Sequence, residues 1–455
     1  MPMRTVLLAI SCACLGGMAV GQVITEFPIP KAQTMPMGIA AGADGNVWFT
    51  EVTYTTVKGP SGPGWFPFSS AVARIGPTGV VTEFNLPAFA SGITAGLDGN
   101  LWFPETGVVG GYQLGRIDPT GSITDFQLFL SSAMDGRSIA AGPDGSLWAT
   151  QFGASVVRVT TTGSSTEFPL PYVANTLVHA IALGPDGNMW FTNLGANQIG
   201  RITTLGTVTE FPVPTADSQP SGIARGPDGN IWFTEWTGNK IGRITPAGSI
   251  TEFSIPTPNG VPNDIVAGPD GNLWFTEEVG NKIGRITTAG VISEFPVPTA
   301  AAQPFSIAAG PDGNIWFTES SLANLDSSIQ KIGKVSLNAL CAADDHTLCL
   351  DEGRFAVTAY FQQTPSGPSS RATAVPLTNN TGYFWFFDPS NVEMVVKVLT
   401  GCPVNGEYWV FAGGLTDVAV EMKVTDTVTG AFKNYSNAFG TPFQPIQDSA
   451  AFPCP

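Results

Sequence analysis

The sequence predicts an all-β protein: a seven-bladed β-propeller closed by its N-terminal strand, followed by a small C-terminal β-sandwich. Three observations support this. One sentence of residues recurs seven times between positions 23 and 338, marked by turn aspartates Asp44, Asp98, Asp144, Asp186, Asp228, Asp270 and Asp312, at successive spacings of 54, 46, 42, 42, 42 and 42. A period near 42 with about four short strands per unit is the signature of a propeller blade. Composition agrees, since 53 glycines, 37 prolines and only 12% charged residues leave little material for helices, while Thr, Ile, Val, Phe and Trp fill the runs between turns. Finally, Cys341, Cys349, Cys402 and Cys454 all fall beyond the repeat, which sets the last part of the chain apart.

Residues 1–21 read as an export signal: Arg4, an apolar stretch from Thr5 to Val20, and small residues Ala19 and Gly21 at the cleavage-site spacing. The apolar stretch, about 16 residues, is shorter than the roughly 20 a spanning helix requires. The expectation is therefore a secreted or periplasmic bacterial protein without a membrane span, from which Cys12 and Cys14 are removed with the signal.

The propeller is expected over 22–339. Its fifth unit runs from Ser221 through Gly-Pro-Asp-Gly-Asn-Ile-Trp-Phe-Thr to Glu235, then Lys240 to Thr245, then Ile250 to Pro256. Asp-Gly is expected to supply the positive-φ turn of a hairpin. Trp48, Trp102, Trp148, Trp190, Trp232, Trp274 and Trp316 give one indole per unit. Repetition in every unit points to packing between blades rather than to sugar stacking, because a binding site breaks the symmetry of its repeat. The outer-strand Thr-Glu-Phe segment has its first copy at Thr25 to Pro28, before the first turn, and no copy follows Lys331 to Val335. Val23 to Pro30 should then complete the last blade and remove an open edge.

The unit at 340–455 carries alternating runs such as Tyr383 to Phe387, Val392 to Val398, Tyr408 to Phe411 and Val418 to Thr425, the pattern of a small sandwich. Its aromatics are expected in the core, with a surface that binds glycan as the alternative. Of three possible disulfide pairings, Cys341 with Cys349 and Cys402 with Cys454 is the expected one.

For chemistry the sequence offers little of the usual kind. With only His179 and His346 present, multi-histidine zinc sites and cysteine–histidine catalysis are nearly excluded. A formal charge of −16 argues against nucleic acid, since an acidic partner releases no counterions from a polyanion. Positions that differ between blades are free to serve a ligand. The residues opening the inner strands, Met37, Ser91, Arg137, His179, Ser221, Asn263 and Phe305, form one such ring. The residues closing the Trp-Phe strands include Glu51, Glu105, Glu235, Glu277 and Glu319, with Gln151 and Asn193 in the other two units. Hairpin geometry brings both sets to the same end of the ring, so an acidic mouth is expected, able to hold Mg²⁺ or Ca²⁺. His179 is the candidate general base, because imidazole titrates near neutral pH. His346, beside Asp344 and Asp345, is expected in solvent. Longer connections follow Glu51, with 15 extra residues including Trp65 to Phe68, and Glu319, with 7 extra; both are candidates for a lid over that mouth.

The repeated Gly-Pro-Asp-Gly-Asn-Ile-Trp-Phe-Thr-Glu, Asn239 to Ile244 and Thr-Glu-Phe-Pro segments closely resemble the virginiamycin B lyase (streptogramin B lyase) family over about 23–338. The resemblance implies a seven-bladed propeller and Mg²⁺-dependent opening of a cyclic depsipeptide lactone by elimination. It also implies histidines opening the last two inner strands, in P-H-A-I and E-P-H-G-I segments. Here Asn263 and Phe305 stand in those two places and Gln303 stands where the acidic residue would be. Neither Asn nor Phe takes up a proton, so the expected function is a monomeric propeller that binds a small molecule, peptide or glycan with the family's lyase chemistry lost. The alternatives are metal-assisted opening of a lactone or ester with His179 as base, and a structural or adhesive cell-surface protein. The C-terminal unit, with Leu348 to Phe355, Gly382 to Asp388 and Tyr408 to Gly413, looks like a domain appended to secreted bacterial proteins.

Overall fold

The computed structural model describes residues 24–453, other than 60–61, 109–110, 129, 131–133, 152–154, 172–175, 322–329, 338–340, 342, 352, 379 and 428–430. The export signal expected over 1–21 and Cys454 lie outside the described residues. Seven antiparallel sheets make up the propeller, six of four strands and one, the second, of five because its inner strand is split into Phe89–Ala90 and Thr94–Ala95. Among the described residues the one helix is Cys402–Asn405, and no helix is long and apolar enough to cross a membrane.

The fifth blade shows why the repeat folds as it does. Its strands are Pro220–Arg225, Ile231–Glu235, Lys240–Ile244 and Ile250–Ser254, hydrogen-bonded in that order from the inside outward. Between the first two, Gly229 alone takes the left-handed conformation, at φ 75°. Asp228 does not share it, against the expectation from Asp-Gly, because its carboxylate is used instead. Its Oδ1 accepts from Asn230 N at 3.2 Å and from the indole Nε1 of Trp232 at 3.1 Å. That bond lets a fully buried tryptophan keep its one polar atom satisfied. Trp232 stacks on Phe253 of the outer strand at 5.6 Å, and Arg243 lies 5.5 Å over both rings. The buried face of each blade then meets the next, as Trp232 packs with Ile265, Leu273 and Phe275 of blade six.

A second device links the blades near the axis. Thr50, Thr150, Thr192, Thr234, Thr276 and Thr318 are fully buried on the Trp-Phe strands. Thr234 Oγ1 accepts from Gly222 N of its own blade at 2.8 Å and donates to Asn263 O of the next at 2.8 Å. The same hydroxyl reaches across from blade seven to blade one, Thr318 to Met37 O at 3.0 Å. Blade two has Pro104 at this position and cannot make the link.

The fourth strand of blade seven comes from the start of the chain: Ile24–Pro28 pairs antiparallel with Lys331–Val335. Phe27 stacks on Trp316 at 5.5 Å, and Glu26 accepts from Thr299 N and Oγ1 at 2.8 Å each and from Lys331 Nζ at 2.7 Å. These contacts bridge more than 270 residues of sequence and repeat those of Phe253 and Glu252 in blade five.

Beyond the propeller, two five-stranded antiparallel sheets share one apolar core that includes Phe355, Phe384, Val396, Val410, Met422 and Phe452. The aromatic runs alternate. Phe384, Phe386 and Tyr408 are buried, whereas Tyr383, Trp385, Trp409 and Phe411 are half-buried on the opposite faces of their strands. Cys341 is bonded to Cys349, and Cys402 is disulfide-bonded as well. His346 is not simply solvated: its N–H bonds to Asp344 and its Nδ1 lies 2.9 Å from Ala372 O, which fixes the proton on that nitrogen.

Candidate functional site

The inner strands begin irregularly. In blade five the register slips between Pro220 and Ile223, and equivalent slips occur in blades one, three, four, six and seven. The bulged residues leave the ladder, their amides turn to the threonine hydroxyls, and their side chains are freed toward the axis. Small residues are required beside them. A Cβ on Gly222 would stand 2.7 Å from Asn263 O and from the Cα of Asp264.

These segments enclose an axial cavity of about 170 Å³ whose polar lining includes Ser91, Ser138, His179, Asn263, Asp264 and Ser306, with Met37 and Phe305 among the apolar walls. Of the ring read from sequence, Met37, Ser91, His179, Asn263 and Phe305 line it; Ser221 does not border it but bonds to His179 and Asn263, and the side chain of Arg137 lies outside the described residues. One hydrogen-bonded path runs along the wall: His179 Nδ1 is 3.4 Å from Ser221 Oγ, which donates to Asn263 Oδ1 at 3.2 Å, and Asn263 Nδ2 donates to Phe305 O at 3.3 Å. Gln303 is not part of the lining. It sits in the turn before the last inner strand at φ 51°, with its carbonyl accepting from Ser320 N.

The carboxylate of this cavity is Asp264, which the sequence reading overlooked. Its Oδ2 accepts from Ser306 Oγ at 2.9 Å and from Ile307 N at 3.1 Å, and its Oδ1 from Ile265 N at 2.8 Å. Removal from water pushes its pKa up, and the three donors pull the other way. A signal was available. The second residue of the inner strand is Gly38, Gly92, Ser138, Ala180, Gly222, Asp264 or Ser306, small in every blade except the sixth.

The glutamates do not line an open mouth. Glu51, Glu105, Glu235, Glu277 and Glu319 are all fully buried, each within its own blade, and none borders the axial cavity. Each faces one further carboxylate, on Glu83, Asp125, Glu252, Glu294 and Glu26 respectively. No three His, Cys, Asp or Glu side chains come together among the described residues. In blades five, six and seven a lysine ammonium already occupies the second carboxylate, at 2.9, 2.7 and 2.7 Å. Two carboxyl groups and an ammonium do not fit a hard divalent ion, which needs six or more oxygen ligands. The connection after Glu51 is a long hairpin, Val47–Gly59 with Gly62–Ile75. The one after Glu319 falls largely in 322–329, outside the described residues.

Comparison with known proteins places this architecture. The sequence profile of the Virginiamycin B lyase family matches residues 10–204 and 135–354. A solved streptogramin B lyase is 33% identical, with a TM-score of 0.57, over 70% of this chain and 98% of its own. A catalytically inactive histidine-to-alanine variant of virginiamycin B lyase from Staphylococcus aureus, solved with quinupristin, is 37% identical, with a TM-score of 0.59, over 69% of this chain and 99% of its own. Curated protein sequences gave no match. With a profile covering most of the propeller and two lyases aligned along nearly their whole length, the chain belongs to the Virginiamycin B lyase family.

Proposed function

We propose that this protein is an exported member of the family that binds a small molecule, peptide or glycan at the axial cavity and does not carry out the elimination that the resemblance implies. The observation behind this reading is the state of Asn263. It stands where a proton-accepting histidine is expected, and its amide is held between Ser221 and Phe305 O. An amide cannot take a proton from a substrate, and the phenyl ring of Phe305 cannot either. The cavity, at about 170 Å³, suits a side chain or ring fragment of a larger ligand better than a whole cyclic peptide. Phe305 and Met37 offer it apolar walls, and Asp264 a hydrogen-bond acceptor. The disulfide between Cys341 and Cys349 supports an oxidising location, since such bonds are reduced in most cytosols.

The test uses the mature chain with quinupristin and Mg²⁺ or Ca²⁺, with the Staphylococcus aureus lyase as the active control. Binding is read by calorimetry and ring opening by chromatography. Binding without ring opening supports the proposal. Ring opening at the control's rate overturns it, and absence of binding to quinupristin and to peptide and glycan arrays removes the cavity as a ligand site for these classes.

One observation favours a second reading. His179 lines the cavity and meets Ser221, so an imidazole base is present at the right end of the ring. Slow ring opening that disappears in His179→Ala would assign the chemistry to that side chain.

A further inference from the structure

Five side chains break the rule that buried charge is paired. Both carboxyl oxygens of Glu51, Glu105, Glu235, Glu277 and Glu319 are buried without a hydrogen-bond partner. An ionised carboxylate so placed is strongly disfavoured.

The carboxylate facing each of them opposes ionisation further, and a lysine near Glu51, Glu235, Glu277 and Glu319 offsets part of that effect. Glu235 faces Glu252 and Lys240, with Ser218 alongside; Glu277 faces Glu294, Lys282 and Thr257; Glu319 faces Glu26 and Lys331. Glu51 faces Glu83 and Lys31, and Glu105 faces Asp125. In blade five the lysine serves the outer glutamate instead. Glu252 accepts from Lys240 Nζ at 2.9 Å and from Thr215 N and Oγ1 at 2.9 Å each. Blades six and seven repeat this arrangement at Glu294 and Glu26. The outer carboxylate is a satisfied anion, held below the usual carboxylate range by these bonds against its own desolvation. The inner carboxyl is left over. The backbone also crowds it, since a Cβ on Gly238 would stand 2.8 Å from Glu235 Oε2, and one on Gly260 or Gly280 would stand 2.8 Å from Glu277 Oε2.

The two remaining blades act as an internal control. They carry Gln151 and Asn193, neutral amides that are equally buried. Asn193 Nδ2 donates to Glu210 Oε1, the outer-strand glutamate of its blade, at 3.4 Å. A protonated carboxyl resembles such an amide, with one donor and one acceptor.

We infer that the five buried glutamates are neutral carboxylic acids that donate to the outer-strand carboxylate of their own blade, as Asn193 does, so that blade packing depends on bound protons and not on a divalent ion. In blades five, six and seven the outer carboxylate keeps the charge and the inner carboxyl the proton, because two adjacent carboxylates cannot both ionise cheaply. Burial first, and the neighbouring carboxylate second, push Glu51 to about 8, Glu105 and Glu235 to about 7, Glu277 to about 8 and Glu319 to about 9. All five lie above the ordinary value of 4.5. The folded chain therefore keeps protons that the unfolded chain releases. The stabilisation is fully present below that ordinary value, shrinks as pH rises, and is gone above the folded values.

Thermal and urea unfolding of the mature full chain between pH 5 and pH 10, with and without Mg²⁺, Ca²⁺ or a chelator, tests this. The wild type should lose stability steadily from pH 5 to pH 9, by up to about tenfold in the folding equilibrium per pH unit for each group. Glu235→Gln with Glu277→Gln should fold, show a shallower pH dependence and be the more stable protein at pH 8. Neither cation should shift the midpoint. A flat wild-type profile overturns the inference, as does a midpoint raised by Mg²⁺ or Ca²⁺ and insensitive to cation in the double variant. If the double variant does not fold, infrared difference spectra of the wild type at pH 6 against pH 10 decide, because protonated carboxyl bands must be present at pH 6.

Discussion

Thr234 shows how much one hydroxyl carries. It satisfies a bulged amide within its blade and a carbonyl of the next, both in a dry interior. Valine has the same shape and neither bond. Thr234→Val should therefore leave Gly222 N and Asn263 O unpaired and destabilise the propeller by roughly 2–4 kcal/mol, measurable by urea unfolding. Trp232→Ala should be at least as damaging, about 3–5 kcal/mol for the emptied volume, whereas Trp232→Phe should lose only about 1 kcal/mol with the bond to Asp228. At this scale the sequence disclosed the tryptophans, because an indole in every unit is conspicuous. The threonines escaped notice because a Thr on a strand is commonplace, and only its neighbours reveal that it bridges two sheets.

Within a blade, close approach of the strands leaves no tolerance for added volume. Gly242, opposite Phe233, would place a Cβ 2.1 Å from the ring Cζ, so Gly242→Ala should overpack the blade by about 1–3 kcal/mol. Blade two is the irregular element. Pro104 replaces the bridging threonine, and the inner strand divides at residues 91–93. Native-state hydrogen exchange should find the amides of Thr94 and Ala95 less protected than those of Ile223 and Ala224, and equal protection would contradict this account.

Across the whole molecule, closure is the critical event. Removing residues 1–30 would strip Lys331–Val335 of its partner, unstack Phe27 from Trp316 and delete the Glu26 carboxylate. An exposed strand edge recruits other chains. The truncated protein should lose its cooperative melt and elute earlier than the intact chain in size-exclusion chromatography, and a synthetic peptide of residues 23–30 should partly restore the intact chain's elution.

The sequence by itself determined the architecture, since the 42-residue period, the turn glycines and the tryptophans are local signals that each blade repeats. It also placed Met37, Ser91, His179, Asn263 and Phe305 at one end of the axis, because repeats place equivalent positions on one ring. Only the tertiary structure decided which way side chains at that end of the ring point. Asp264 enters the cavity because the bulge between Pro262 and Ile265 frees its side chain while its amide bonds to Thr276, and the five glutamates, on the neighbouring strands, are buried within the blades. Burial, which sets the charge of those carboxyl groups, depends on the neighbouring strands and not on the residues beside them in the chain.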